Sequence, residues 1–68
     1  FSKDTTLNQA IFFFEKAIEL NPNYVQAIYN LGLQHEFKGD KQRAKKYYLK
    51  AIEIDNNYAP ALSAINQL

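Results

Sequence analysis

Apolar residues recur along this chain at intervals of three and four residues, which is the spacing of one face of an α-helix. In the first stretch, residues 7–20, they occupy positions 7, 10, 11, 14, 17 and 18. Similar stretches follow at 25–38, 41–54 and 59–68. The pattern therefore predicts four α-helices, and two glycines and two prolines leave little room for strands joined by tight turns.

Residues that start or stop helices stand between these stretches. Thr6 is placed to cap the first helix, and Pro22 follows the end of that helix. Gly39 ends the second helix and Asp40 caps the third, so the pair predicts a two-residue hinge. Pro60 falls in the first turn of the last helix, where a missing N–H group costs little.

The chain matches itself when it is shifted by 34 residues. The tetrapeptide Lys-Ala-Ile-Glu at 16–19 recurs at 50–53, and Phe14 aligns with Tyr48. The shared positions hold small or apolar residues at helical spacing. The offset therefore predicts a repeated structural unit of two helices.

The repeated residues resemble the tetratricopeptide repeat, a unit of two helices called A and B. The resemblance covers nearly the whole chain, and its central unit shows it at Ile28, Leu31, Gly32, His35, Ala44, Tyr48 and Ala51. It implies an all-α solenoid of stacked antiparallel helix pairs, here in the order B-A-B-A. It also implies one domain over residues 1–68, with one full repeat between two half repeats, as a segment of a longer array.

Four positions depart from the family pattern. Ile28 stands where the family usually has Trp, and His35 stands where it has Tyr. Asn56 replaces Pro, so a stop signal is lost but a turn former is kept. Asn66 replaces the glycine found at Gly32 in the preceding unit, and is expected to loosen the close helix contact there.

Small residues are expected to bring paired helices together. Antiparallel helices approach closely only where their side chains are small, which here predicts contact at Gly32, Ala44 and Ala51. Leu31 and Tyr48 are predicted to fill the space beside this contact. Each unit leaves an apolar face uncovered, so units must stack on one another.

Composition excludes several classes of chemistry. The 68 residues, 47% of them hydrophobic, are enough for one small folded domain. The chain has no Cys and one His, which rules out a disulfide framework, a zinc finger and a cysteine nucleophile. The absence of Cys is compatible with a cytosolic setting. Because the sequence begins with Phe1, not with Met, a piece of a longer protein is expected.

No constellation of catalytic residues is visible in the sequence. His35 has no nucleophile near it and occupies a packing position of the repeat, so it is interpreted as a packed histidine. We therefore expect no enzymatic activity and no cofactor. No apolar run approaches the roughly 18 residues that span a bilayer, and the net charge of +1 does not favour a membrane surface.

The resemblance implies that a protein or peptide partner lies in the concave groove lined by the A helices. The positions that would face this groove are Gln26, Tyr29, Asn30, Leu33, Phe37, Ser63 and Gln67. Three of them, at 29, 33 and 37, form an apolar row that could seat an apolar peptide or an amphipathic helix. The alternative is that Leu33 and Phe37 pack against a neighbouring unit.

One known subclass of the family grips the C-terminal carboxylate of a chaperone with Lys, Asn and Arg in this groove. Asn30 matches the central Asn of that clamp. Pro60 and Ala64 occupy the positions where basic partners are needed. We therefore expect no binding to a chaperone tail.

The half repeats at the two ends offer a second interpretation, in which copies of the chain stack head to tail. The candidate contact residues are Phe1, Ile11, Phe12, Phe14, Leu62, Ile65 and Leu68. Ile11 and Phe14 are expected on an uncovered apolar face of the first helix, and Phe12 points outward beside them. The alternative is a sequence cropped from a longer array.

A basic segment suggests a third, less favoured partner. Residues 38–50 hold five lysines and one arginine against one aspartate, with Tyr47 and Tyr48 among them, which raises the hypothesis of an anionic or RNA partner on helix 41–54. Helical spacing spreads these cations over two sides, and cations near a helix C-terminus are ordinary. Nucleic acid is therefore not the expected ligand.

Overall fold

The computed structural model describes residues 3–68, with side chains described from Thr6 onward. Four α-helices make up the fold: α1 (Lys3–Leu20), α2 (Val25–Phe37), α3 (Lys41–Ile54) and α4 (Ala59–Gln67). Each helix packs mainly against its neighbours in the chain, within a slab of 37 × 29 × 15 Å. The predicted all-α repeat fold is confirmed. Phe1, a predicted contact residue, lies outside the described range.

The first helix begins earlier than its capping signal indicates. Since α1 starts at Lys3, Thr6 lies inside the helix and does not cap it, so that prediction is wrong. No Gly or Pro stands between Lys3 and Leu7, so these residues can continue the helix. Helix α2 ends at Phe37 and α4 at Gln67, each one residue before its predicted end.

The hinge at Gly39 and Asp40 is confirmed. Gly39 has a φ of 88°, which a residue without Cβ adopts without strain. The Asp40 N–H donates to the His35 carbonyl at 2.9 Å, closing the end of α2. The Asp40 carboxylate then accepts from the Arg43 N–H at 3.1 Å, which caps α3.

The turns before α2 and α4 have the same construction. The Asn23 N–H donates to the Asn21 side-chain oxygen at 3.3 Å, and the Asn57 N–H donates to the Asp55 carboxylate at 3.1 Å. These Asx turns repeat at an offset of 34 residues, although Pro22 of the first becomes Asn56 in the second. The Asx bond therefore maintains the turn without the proline.

The core lies between α2 and α3 and extends to α4. Its fully buried cluster consists of Ile28, Ala44, Tyr48, Ala51 and Ala61. The Tyr48 hydroxyl donates to the Glu36 carboxylate at 2.7 Å, and burial raises the pKa of that phenol well above its usual value. Tyr48 is thus a neutral packing residue at neutral pH.

The predicted close approach of the paired helices is confirmed at Gly32. A Cβ atom placed on Gly32 would lie 2.6 Å from Cε1 of Tyr48 and 3.2 Å from the backbone oxygen of Ala44. The first distance is shorter than any ordinary contact between two carbons. Glycine is therefore required here for lack of space, whereas Gly39 is required by its backbone angle.

His35 is packed, as the sequence predicts. Its side chain is buried, and its ring stacks on Tyr47 at 5.5 Å between centroids with 4° between planes. Burial lowers the pKa of His35 below its ordinary 6.5; Asp40 opposes this shift, and Arg43 adds to it.

We expect the chain to lose stability as the pH falls through the ordinary pKa of histidine. The fold favours neutral His35, so the unfolded chain binds the proton more readily and is stabilised by acid. Urea unfolding should show a lower midpoint at about pH 5.5 than at about pH 7, a window above most carboxylate titrations. His35→Tyr should remove this slope. A midpoint that rises in acid, or an unchanged slope in the variant, would contradict the prediction.

Candidate binding surfaces

Three parts of the surface combine exposure with features that could recognise a partner. The α2/α4 surface comprises the residues that the sequence placed in the concave groove. The α1 aromatic face comprises Phe12, Phe13 and Phe14. The lysine-rimmed groove lies along α3 beside the end of α4.

On the α2/α4 surface, the apolar row divides into covered and uncovered members. Tyr29 and Leu33 are half-buried against the core. The Tyr29 ring lies 5.7 Å from the rings of both Tyr48 and Tyr58, so it joins α2 to α3 and to the start of α4. Phe37, the last member of the row, is 55% exposed. Packing thus occupies much of Tyr29 and Leu33 and leaves Phe37 available.

The remaining positions of this surface are polar and uncharged. Asn30 is half-buried, and three others are exposed: Gln26, Ser63 and Gln67. Their amide and hydroxyl groups can donate and accept hydrogen bonds but carry no charge. The exposed positions of this set are therefore one phenylalanine and three uncharged polar residues.

The uncovered side of α1 differs from the predicted one. Ile11 is buried, so its expected place on an open face is wrong; α1 packs against α2 and covers it there. Phe12 and Phe13 are 62% and 68% exposed, and Phe14 is half-buried. Phe13 contacts Phe14 edge-on, with 5.8 Å between ring centroids.

Sequence reasoning missed the exposure of Phe13. The repeat register aligns Phe13 with Tyr47, which stacks on His35, so the register gave no signal that Phe13 would be exposed.

The contact residues predicted at the other end of the chain lie on α4. Leu62 is 41% exposed and Leu68 is 38% exposed, while Ile65 is half-buried. Asn66 is exposed at the repeat position of Gly32. A further B helix packed on α4 as α3 packs on α2 would meet the Asn66 side chain where that geometry leaves no room for a Cβ.

The lysine-rimmed groove consists of two adjoining depressions. One lies between α3 and α4 and is lined by Lys41, Gln42, Lys45, Ile65 and Leu68. The other lies along α3 and is lined by Gln42, Lys45, Lys46, Leu49, Lys50 and Glu53. Because Gln42 and Lys45 line both, the depressions form one continuous surface.

The lysines of α3, unlike Arg43 with its ion pair to Asp40, are not placed to stabilise that helix. None lies in its last turn, so the ordinary explanation of cations near a helix C-terminus is wrong here. Lys41 stands in the first turn, at the positive end of the helix dipole. Lys41 and Lys45, and likewise Lys46 and Lys50, are like-charged neighbours one turn apart, which costs about 0.2–0.5 kcal/mol per pair.

The geometry of the described side chains and the length of the described helices bear on metal sites and on membrane spans. Among the side chains described from Thr6 onward, no group of three or more His, Asp or Glu is arranged to hold a metal ion. Between residues 3 and 68, no helix has the length and apolar character needed to cross a membrane.

Comparison with known proteins finds helical-repeat relatives. A family model described as tetratricopeptide repeat matches residues 13–46. An uncharacterized ycf37 protein of Guillardia theta is 35% identical over 52 residues, which cover 74% of this chain and 29% of that protein. The photosystem I assembly protein Ycf3 of Acaryochloris marina is 30% identical over 74 aligned residues, covering 87% of this chain and 45% of that protein.

A ycf37 protein of Pyropia yezoensis is 38% identical over 45 residues, which cover 66% of this chain and 25% of that protein. The chain thus spans less than half the length of each of these curated relatives. The family match begins in α1, includes all of α2 and ends within α3. It therefore contains Gly32 and the hinge at Gly39, whereas Tyr48, which packs on Gly32, lies just beyond the match.

Proposed function

Because the chain belongs to the tetratricopeptide repeat family, we propose that it binds a partner polypeptide along its α2/α4 surface. The chain is a segment of a protein–protein interaction scaffold. The observation that supports this site is the exposure of Phe37, at 55%, on a helix whose other apolar side chains are buried or half-buried. An exposed aromatic side chain at the end of a partly apolar row can make the main apolar contact with a bound peptide or helix.

The partner that fits this surface is apolar with uncharged polar groups. One end offers Phe37, and the remaining exposed surface offers the amides of Gln26 and Gln67 and the hydroxyl of Ser63. No lysine or arginine is among these residues. Pro60 and Ala64 occupy the positions where a carboxylate clamp around Asn30 would need basic side chains. We accordingly propose no role in binding the carboxylate of a chaperone tail.

The names of the relatives suggest what such a scaffold does. One of them is named a photosystem I assembly protein. We propose that this chain also has a role in assembly, which it performs by binding other polypeptides, and that it has no catalytic role or cofactor of its own. Stacking of identical copies is less favoured, because Asn66 stands where a periodic continuation needs a glycine.

Selection of peptides from a random displayed library tests this proposal. Enriched peptides should be apolar and carry little charge, and Phe37→Ala should weaken their binding by about tenfold or more. Phe12→Ala is the matched control, since it removes a similarly exposed phenylalanine from α1. Fluorescence anisotropy with the labelled peptides measures both affinities.

Two outcomes of the peptide selection would contradict the proposed site. Peptides that ignore Phe37→Ala but lose affinity with Phe12→Ala would place binding on the α1 aromatic face. If every enriched peptide were rich in Asp and Glu and none depended on Phe37, binding would be placed on the lysine-rimmed groove instead. Circular dichroism of both variants should match that of the parent chain, because both side chains are largely exposed.

A further inference from the structure

We propose that the lysine-rimmed groove is a second binding site, which takes an acidic amphipathic helix of a partner protein. The groove is lined by α3 and the end of α4, and shares no residue with the α2/α4 surface. The inference is therefore independent of the proposed peptide site. Its occupant has apolar side chains on one face and carboxylates on the flanks of that face.

The apolar part of the groove lies along the seam between α3 and α4, where a seam is the line of contact between two consecutive helices. The equivalent seam between α1 and α2 is closed, because its apolar side chains are buried. Between α1 and α2, Leu7, Ile11 and Leu31 are exposed by only 8%, 9% and 1%. The residues at the repeat positions of Leu7 and Ile11 are Lys41 and Lys45. The second seam thus has two lysines at positions where the first has two buried apolar side chains.

The open seam keeps an apolar floor. Ile65, at the repeat position of Leu31, is half-buried, and Leu68 beside it is 38% exposed. Leu49 extends this floor along α3 and is 50% exposed. The three side chains lie on two packed helices, which is the form of a groove that receives a further helix.

The rim of the groove lacks countercharges. In the part of the chain whose side chains are described, Lys41, Lys45, Lys46 and Lys50 make no salt bridge to a carboxylate. Glu53 is the one acidic residue that lines the groove. A partner with carboxylates along its flanks would relieve the like-charge repulsion on α3 and orient the apolar contact.

An acidic helix fits this surface better than nucleic acid. RNA recognition in grooves of this kind uses free aromatic faces on which bases stack. Tyr47 is already stacked on His35, and Tyr48 is fully buried with its hydroxyl bonded to Glu36. The exposed carbons of the floor are aliphatic and suit apolar side chains instead.

A second copy of this chain fits less well than a foreign acidic helix. The helix of a second copy with the most exposed apolar side chains is α1, whose acidic residues are Asp4, Glu15 and Glu19. Glu19 is paired with Lys16 at 3.4 Å, and Lys16 also lies 5.5 Å from the Phe12 ring. Because α1 also carries Lys3 and Lys16, its formal net charge is only −1, a poor match for four lysines.

The test uses three labelled synthetic peptides and the 68-residue chain. The probe is a helix-stapled peptide with leucines on one face and glutamates on its flanks. The first control has the same composition in scrambled order, and the second replaces every Glu by Lys. We expect saturable binding of the probe by anisotropy, with at least about tenfold weaker binding of both controls.

Substitutions in the chain locate the site. Lys45→Glu should weaken probe binding about tenfold, while it creates a favourable pair with Lys41 that supports the helix. Lys16→Glu is the matched control on α1, and its affinity should stay within about twofold of the parent chain. Leu68→Ser should weaken probe binding, because it removes an apolar side chain from the floor of the groove. Phe37→Ala should leave probe binding unchanged.

Several outcomes would overturn the proposal. Equal affinity for the probe and the scrambled peptide would mean charge attraction without a groove. Tighter binding of an oligouridylate RNA than of the probe, weakened by Lys45→Glu, would assign the surface to nucleic acid. A dimer in sedimentation equilibrium that dissociates on Lys45→Glu would assign it to a second copy. Loss of probe binding in Phe37→Ala would place the probe on the α2/α4 surface.

Discussion

Gly32→Leu is expected to abolish cooperative folding of the chain. A Cβ atom at this position would already lie 2.6 and 2.8 Å from two ring carbons of Tyr48. That ring has no room to move aside, because Tyr48 is fully buried and its hydroxyl is bonded to Glu36. Separating α2 from α3 would open the core, and a domain of this size has only about 3–5 kcal/mol to lose.

The smaller change Gly32→Ala should cause a smaller loss of stability for the same reason. Alanine favours the helix over glycine by about 0.5–1 kcal/mol, but overpacking of a core costs about 1–3 kcal/mol. The backbone oxygen of Ala44, 3.2 Å from the added carbon, cannot rotate away as a side chain would. We therefore expect a net loss of stability in urea unfolding followed by circular dichroism.

Asn66→Leu is the matched control for Gly32→Leu. Asn66 occupies the same repeat position on α4, but its side chain is exposed. The free energy of unfolding should change by no more than about 0.5 kcal/mol. If Gly32→Ala proves as stable as the parent chain, the close contact between α2 and α3 does not hold the fold together.

Tyr48→Ala is the second change with a large expected effect. Removing a fully buried aromatic side chain costs about 3–5 kcal/mol, which approaches the whole stability of the domain. We expect a chain that is largely unfolded at room temperature, with loss of helical signal in circular dichroism. Tyr48→Phe removes the bond to Glu36 alone, and should cost about 1.5 kcal/mol.

Phe14→Ala provides the comparison, because Phe14 holds the same repeat position on α1. Its side chain is half-buried, so its truncation should cost about 1 kcal/mol. The two truncations thus measure what the additional packing by α2 contributes at one repeat position. Equal losses at positions 14 and 48 would show that α1 and α3 are packed alike, contrary to the structure.

The candidate sites were predictable from sequence to different extents. The polar positions of the α2/α4 surface follow from the repeat register, and Gln26, Ser63 and Gln67 are exposed. The register did not show how far Tyr29 would be enclosed by the rings of Tyr48 and Tyr58, since those rings come from two other helices. The repeat register specifies the direction in which a side chain points. Its exposure depends on which other helices pack against it.

The lysines of α3 illustrate the same limit. The sequence gives their number and spacing, and it suggested that they spread over two sides of the helix. The structure places Ile65 of α4, and Leu68 directly after α4, beside Lys41 and Lys45, which turns a solvated helix face into one wall of a groove. No local pattern in α3 contains that information.

The sequence by itself determined the secondary structure, the repeat and the positions that bring paired helices together. These follow from helical periodicity, from the turn residues Gly39 and Asp40, and from the small side chain at Gly32, all of which act over a few residues. Only the tertiary structure decided which faces remain open: Ile11 is buried, whereas Phe13 and Phe37 are exposed. Burial depends on neighbours distant in the chain, because the apolar surface of each helix is covered by other helices.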